Sequence, residues 1–237
     1  MSKYTYNKNY FEVINKKEKA YILGFLYADG CISSYYKNER LKAMAMEIQL
    51  KYDDIELLEK IKNELEANVP ITTKTNKIKD KIYKSCRMIV NCTGMCRDLI
   101  KLGCTPKKSL TLTFPNEEIL PIKFRNDFIR GYFDGDGCVH YSEKYRESNI
   151  CNSSWISKNF VVSFVGTYEF LEELKNILYS NNIHSCDIKH GNCGKAFELR
   201  LYGFENLINF YNYIYNDSKL FLKRKFDKFN YAIEKVK

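Results

Sequence analysis

Three histidines and four prolines occur in the 237 residues. So few histidines leave little room for imidazole base catalysis. No Gly-X-Gly-X-X-Gly, P-loop or serine-protease motif occurs, which argues against dinucleotide-dependent, P-loop and acyl-transfer chemistry. No apolar run approaches the roughly 18–20 residues needed to cross a bilayer. The opening MSKYTYNKNYFEV lacks both an apolar signal core and an Arg/Ser-rich transit pattern. The expected setting is therefore intracellular: the cytoplasm or nucleoid of a bacterium or phage-infected cell, or an organelle matrix. Nine cysteines are scattered without a framework, and without a signal peptide they are expected to be reduced, mostly buried thiols.

What is present is apolar material for a core (45% hydrophobic, 15% aromatic) and a net charge of +9. The charge favours a polyanionic partner, nucleic acid foremost. Residues 71–90 carry six basic residues and one acid, and the tail contains KLFLKRKFDKF. The alternative reading of these lysines is a solubilising surface.

Two segments repeat. ILGFLYADG (22–30) returns as IRGYFDGDG (129–137), with Asp29 and Asp136 107 residues apart. After each, the same signals follow in order. KAMAMEIQLK (42–51) and NFVVSFVGT (159–167) read as strands. DDIELLEKIKNEL (53–65) and YEFLEELKNILYSN (168–181) read as amphipathic helices, with Asp53 and Thr167 as N-caps. Hairpins are expected over 71–92, turning around Lys77–Lys81, and over 183–202, turning at Gly191-Asn192. GMCRDLIKLGC (94–104) and GFENLINFYNYIY (203–215) read as closing helices. FPNEEILPIKFR (114–125) holds two of the four prolines and no period, as a linker would. The expectation is an α+β fold of two repeats, 1–113 and 126–237, joined by 114–125.

As helices, the doubled segments place Gly24 and Ala28, and Gly131 and Gly135, at i and i+4. Small residues at that spacing let two backbones approach closely. Pairing the two faces about a pseudo-twofold axis would bring Asp29 and Asp136 together at helix C-termini, where the macrodipole disfavours anions. Two carboxylates about 6 Å apart would repel by roughly 3 kcal/mol at an effective dielectric of about 20. Divalent cations shared between them would reverse that sign, and such oxygen ligands suit Mg²⁺. The alternative is that both Asp residues merely end helices before ordinary C-terminal glycines. Two equivalent copies in a basic chain favour the metal reading.

These residues resemble the two motifs of a single-chain LAGLIDADG homing endonuclease, and the resemblance runs from about Tyr10 to about Lys235. It implies an αββαββα unit used twice, saddle-shaped antiparallel sheets over the DNA major groove, and paired motif helices at the centre. It also implies Mg²⁺- or Mn²⁺-dependent cutting of both strands at a long asymmetric site by a monomer, with no protein partner required. The metal-binding carboxylate at the motif's eighth position maps to Asp29 and Asp136. The sixth position, often Asp, is Tyr27 in the first copy and Asp134 in the second, a sign that the halves have diverged. A basic residue near the active site maps to Lys108 in TPKKS and Lys225 in FLKRK, with neighbouring Lys107 and Arg224 as alternatives. Gln49, near the start of the first amphipathic helix, or Glu47 would contact metal-bound water.

DNA contacts are expected from Lys74, Asn76, Lys79, Lys81 and Arg87 in the first half and Lys189, Lys195 and Arg200 in the second. The stretch 140–158 reads as a long polar hairpin tip. His184, Cys186, His190 and Cys193 offer a zinc set whose spacing is unusual for zinc fingers. An intron RNA maturase or a non-cleaving DNA-binding protein of the same fold is the rival function. The short stretch before the first motif leads us to expect a free-standing or intron-encoded protein rather than one excised from an intein.

Overall fold

A computed structural model describes residues 3–106, 111–148, 153–191 and 196–236. In the first half, α1 (Lys17–Asp29) leads into the hairpin of β1 (Gly30–Lys37) and β2 (Arg40–Lys51). Then come α2 (Ile55–Glu64), the hairpin of β3 (Ile71–Ile78) and β4 (Lys81–Asn91), and α3 (Thr93–Lys101). The same order returns as α4 (Arg125–Asp136), β5 (Cys138–Ser148), β6 (Ser153–Gly166), α5 (Tyr168–Ser180), β7 (Lys189–His190), β8 (Phe197–Leu201) and α6 (Phe204–Tyr215). A further helix, α7 (Lys223–Val236), follows. The strands make two four-stranded antiparallel sheets, β1-β2-β4-β3 and β5-β6-β8-β7. The α+β class with a repeated αββαββα unit is what the molecule shows.

Each sheet turns one apolar face inward. Met46 pairs with Val90, Ile48 with Met88 and Leu50 with Cys86, and all six are buried. Val162 opposite Leu201 and Phe164 opposite Leu199 do the same in the second sheet. The amphipathic helices α2, α3, α5 and α6 pack on these strands and bury their apolar stripes there, Leu57, Leu58 and Ile61 in α2 for example.

The central pair differs. Ala20–Tyr27 of α1 and Asp127–Asp134 of α4 are buried without a break, because each helix is enclosed between the other and the core of its own half. The small-residue faces meet. A Cβ on Gly24 would lie 2.0 Å from the Phe128 carbonyl oxygen, and one on Gly131 would lie 2.0 Å from that of Tyr21. One on Gly135 would lie 2.2 Å from the Ala28 Cβ.

Three expectations need correction, and one beside them holds. Asp53 is not the cap of α2: residues 52–54 form a 3₁₀ turn, and Asp54 takes the N-cap position without a capping side-chain bond. Thr167 does cap α5, accepting from the Phe170 N–H at 3.2 Å. The polar stretch 140–158 is not a loop over most of its length, because β5 and β6 extend through it up to Ser148 and from Ser153. Those strands project past the core, so both faces are wet and no apolar alternation marks them. Finally, the basic tail is the helix α7, which buries Phe229, Ala232 and Ile233.

The remaining expectations fall out as follows. The hairpin turn near Lys79 holds that residue at φ +47°, and the Gly191 N–H donates to Ala196 O at 2.8 Å. All cysteines among the described residues are free thiols: Cys86, Cys92, Cys96 and Cys104 are buried, while Cys31, Cys138 and Cys186 are exposed. No described helix is long and apolar enough to cross a membrane.

Candidate functional site

Both central helices end at their Asp-Gly step. Asp29 and Asp136 are the last helical residues, while Gly30 and Gly137 are extended, with φ −78° and −71°. These are therefore not left-handed glycine caps. Instead the backbone of each repeat turns straight from helix to strand under its own last turn. A Cβ would fall 2.5 Å from a Leu26 side-chain atom at Gly30 and 2.2 Å from a Phe133 ring atom at Gly137.

The result is two exposed carboxylates, Asp29 and Asp136, at helix ends that touch through Ala28 and Gly135. Asp29 opens onto a cavity of about 420 Å³ whose walls include Gln49, Asn76, Lys84, Ser85 and Arg224. Gln49 is on β2 and exposed. Glu47, its alternative, is instead paired with Arg87 at 2.5 Å. The halves are unequal here. Cys31 pairs with Glu47 and Cys138 with Ser163, so two residues further along, the place of Gln49 is taken by Val165.

Arg224 comes from the second half but reaches the first. Its Nε donates to Asp54 Oδ2 at 2.8 Å, and the Asp54 side chain is only 4% exposed. Lys225, the next residue, is buried. Its ammonium donates to the carbonyls of Phe133 (2.7 Å), Gly135 (3.1 Å) and Gly137 (2.5 Å). An ammonium has three donors, so all three are spent on the C-terminal end of α4, where a cation offsets the macrodipole. Burial lowers the Lys225 pKa to about 8, with Arg224 adding to the decrease and Asp134, Asp29 and Asp136 opposing it. Carboxylates of both motifs thus act on one ammonium.

The sixth motif positions are both anchors. Tyr27 donates through its hydroxyl to Leu102 O at 2.5 Å. Asp134 is fully buried and accepts from Tyr21 (2.9 Å), Tyr215 (3.1 Å) and the Leu222 N–H (2.7 Å). Burial raises its pKa to about 6, against those hydrogen bonds and Lys225.

Strand register decides which basic residues share a face. Gln49 pairs with Arg87, which pairs with Thr72, while Ser85 pairs with Lys74 and Tyr83 with Asn76. Lys74, Asn76 and Arg87 therefore lie on one exposed face with Gln49. Lys79 and Lys81 sit at the exposed β3–β4 turn. In the second sheet Arg200 pairs with Ser163 and is held by Glu198 at 2.7 Å; Lys189 is exposed on β7. Sequence reasoning missed His140, Lys144 and Arg146. They alternate along β5 from Cys138, whose partner Ser163 also pairs with Arg200, so they belong to the same outward face. Reading 140–158 as strand would have found them.

Lys107, Lys108, Lys195 and Cys193 lie outside the described residues. Of the zinc set, His184 packs on Tyr179 and His190 on Phe197. Among the described residues no group of three or more His, Cys, Asp or Glu could hold a metal. An all-protein cage is thus not present there. Two exposed carboxylates fit a divalent cation of the Mg²⁺ kind, which takes one or two carboxylates and completes its shell with water and substrate phosphate.

Residues 123–215 match the LAGLIDADG-like domain family. Among solved structures, the whole chain is similar to the meganuclease I-SmaMI bound to uncleavable DNA, with a TM-score of 0.62 and 12% identity over 94% of this chain and 89% of that one. I-SmaMI bound to an uncleaved DNA target with calcium ions gives 0.60 and 12% over 94% and 92%. The LAGLIDADG meganuclease I-AabMI bound to uncleaved DNA gives 0.54 and 13% over 91% and 90%. At such identities the likeness is one of fold. No curated protein matches.

Proposed function

From the premise that the chain carries a LAGLIDADG-like domain within the fold of the LAGLIDADG meganucleases, we propose that it is a homing endonuclease. It cuts both strands of a long asymmetric DNA target, as a monomer, with a divalent cation such as Mg²⁺ or Mn²⁺. The observation that carries this reading is the convergence of Asp29 and Asp136, one from each repeat, on helix ends that touch through Ala28 and Gly135. Nothing in the packing of a purely structural protein calls for two exposed carboxylates at that place. The relatives whose structures hold DNA and calcium support the same partner and cofactor class.

A cation bound there supplies charge neutralisation at the phosphate and an acidified water. The chain's own residues do the rest. Asp29 and Asp136, one carboxylate from each repeat, would hold the cation at the junction of the two helix ends. Gln49 orients water on the first-half side. Arg224, fixed by Asp54, contacts the phosphate in the Asp29 cavity. Lys225, its donors committed to α4, acts by charge, while Lys108 is its counterpart in the first half. The outward faces bearing Lys74, Asn76, Lys79, Lys81 and Arg87, and Lys189, Lys195 and Arg200, lie along the DNA, phosphate contacts positioning and base contacts specifying. The repeats 1–113 and 126–237 each read one half-site.

The test is incubation of the purified protein with a duplex spanning the insertion junction of its host element. Cutting of both strands with Mg²⁺ or Mn²⁺ is expected. Binding without cutting under any divalent cation would leave a non-cleaving DNA-binding protein; preferential binding of intron RNA would favour the maturase reading.

A further inference from the structure

Asp134 is a buried carboxylate that the proposed chemistry does not use. It sits inside α4, two residues before Asp136, with no exposure to solvent. Such a group is expensive to bury unless its oxygens are satisfied, and here they accept three hydrogen bonds from three separate segments. Tyr21 comes from α1 in the other half, Tyr215 from the end of α6, and the third donor is the backbone N–H of Leu222.

Leu222 is where α7 starts. Its carbonyl accepts from the N–H groups of Lys225 (2.9 Å) and Phe226 (3.1 Å), so holding its N–H sets the origin of the first turn of α7. That turn carries Lys225, which reaches back to α4 on both sides of Asp136, at Gly135 O and Gly137 O. The series of hydrogen bonds thus leaves α4 at Asp134, crosses to α7 at Leu222 and returns to the end of α4 at Lys225. In the first half the residue at the same motif position makes the equivalent tie: Tyr27 donates to Leu102 O, just after α3. The two halves use different chemistry, an acceptor in one and a donor in the other, for one purpose.

We infer that Asp134 is a positioning residue, which acts through the first turn of α7 to seat Lys225 beside Asp136. The inference rests on the nuclease reading for its effect on cutting, but the placement of α7 can be measured independently of it. Asp134→Asn keeps an oxygen for the Leu222 N–H and an amide that can serve Tyr215 as donor. Asp134→Leu keeps the branched shape, with somewhat greater bulk, and removes every acceptor. A triple variant, Asp134→Leu with Tyr21→Phe and Tyr215→Phe, removes the orphaned hydroxyls should Asp134→Leu alone fail to fold.

The expected result has three parts. Cutting by the leucine variants falls roughly tenfold or more in kcat with DNA affinity unchanged, and Asp134→Asn restores it to within about threefold. In a Lys225→Met background the leucine change costs less than about twofold further, because both act through one group. Amide exchange at Leu222–Lys225 accelerates in the leucine variants while the centres of α4 and α6 stay protected. Losses that multiply with Lys225→Met, or unchanged exchange at the start of α7, overturn the inference. If Lys225→Met itself cuts like the wild type, the assigned role of Lys225 in the nuclease reading fails, and the exchange experiment still decides the placement of α7.

Discussion

Gly131 of α4 lies against the backbone of Tyr21 in α1, so close that a Cβ on the glycine would stand 2.0 Å from the tyrosine carbonyl oxygen. Gly24 bears the same relation to Phe128. The two central helices are therefore in backbone contact at two points, and the joint between the halves depends on residues without side chains. Backbone cannot yield as a flexible side chain does, so Gly131→Ala forces the helices apart. Overpacking of this kind costs typically 1–3 kcal/mol and occasionally more. We expect a loss of about 3 kcal/mol in urea unfolding for Gly131→Ala. Gly94→Ala, where nothing lies within 4 Å of the added Cβ, should be neutral or slightly stabilising.

The joint was legible in the sequence because its cause is local and repeated. Small residues at i and i+4, twice over, have few other uses, and the strands between them carry plain periodicity. What the sequence hid has physical reasons as well. Lys144 and Arg146 stand on strands wet on both faces, so no apolar rhythm marks them. α7 hid behind its charge, although Phe226, Phe229, Ala232, Ile233 and Val236 follow a helical spacing. The tie from Asp134 to the Leu222 N–H joins residues 88 apart, and no pattern in the chain announces a backbone donor. Arg224 crossing to Asp54 is equally non-local. Lys225 was singled out through the family resemblance, but its three bonds to the end of α4 had no signal in the sequence.

That capping has a consequence for pH. Lys225 has a folded pKa of about 8, lowered from 10.5, so between those values the unfolded chain binds the extra proton. Stability contributed by this group therefore rises with pH across that window, by about 3 kcal/mol in all. Below pH 8 the folded protein carries a buried ammonium that the unfolded chain would solvate. The stability difference between wild type and Lys225→Met, followed by urea unfolding from pH 7 to pH 10, should shift towards the wild type as pH rises. A difference independent of pH would show that Lys225 titrates normally.

The outward face of β5 makes a separate prediction about binding. Lys144 and Arg146 project from a part of the strand remote from the paired helices, beyond Cys138 and His140. Replacing either with alanine should weaken DNA binding across all sequences alike. It should also lower the slope of log K against log salt by about 1 each, the mark of a lost phosphate contact. Fluorescence anisotropy over a salt series measures this. Arg87→Ala and Arg200→Ala, each removing a guanidinium held in place by a neighbouring glutamate, should instead relax preference at particular base pairs.

The most direct measurement is cutting of the cognate duplex by Asp29→Asn and Asp136→Asn in the presence of Mg²⁺. Asparagine keeps the shape of each side chain and removes the charge, so both variants should bind the duplex with affinity close to the wild type. Loss of the carboxylate should lower double-strand cutting by roughly a hundredfold or more. If either variant still cuts both strands at the wild-type rate, the pair of helices does not bring its two aspartates to one reacting site.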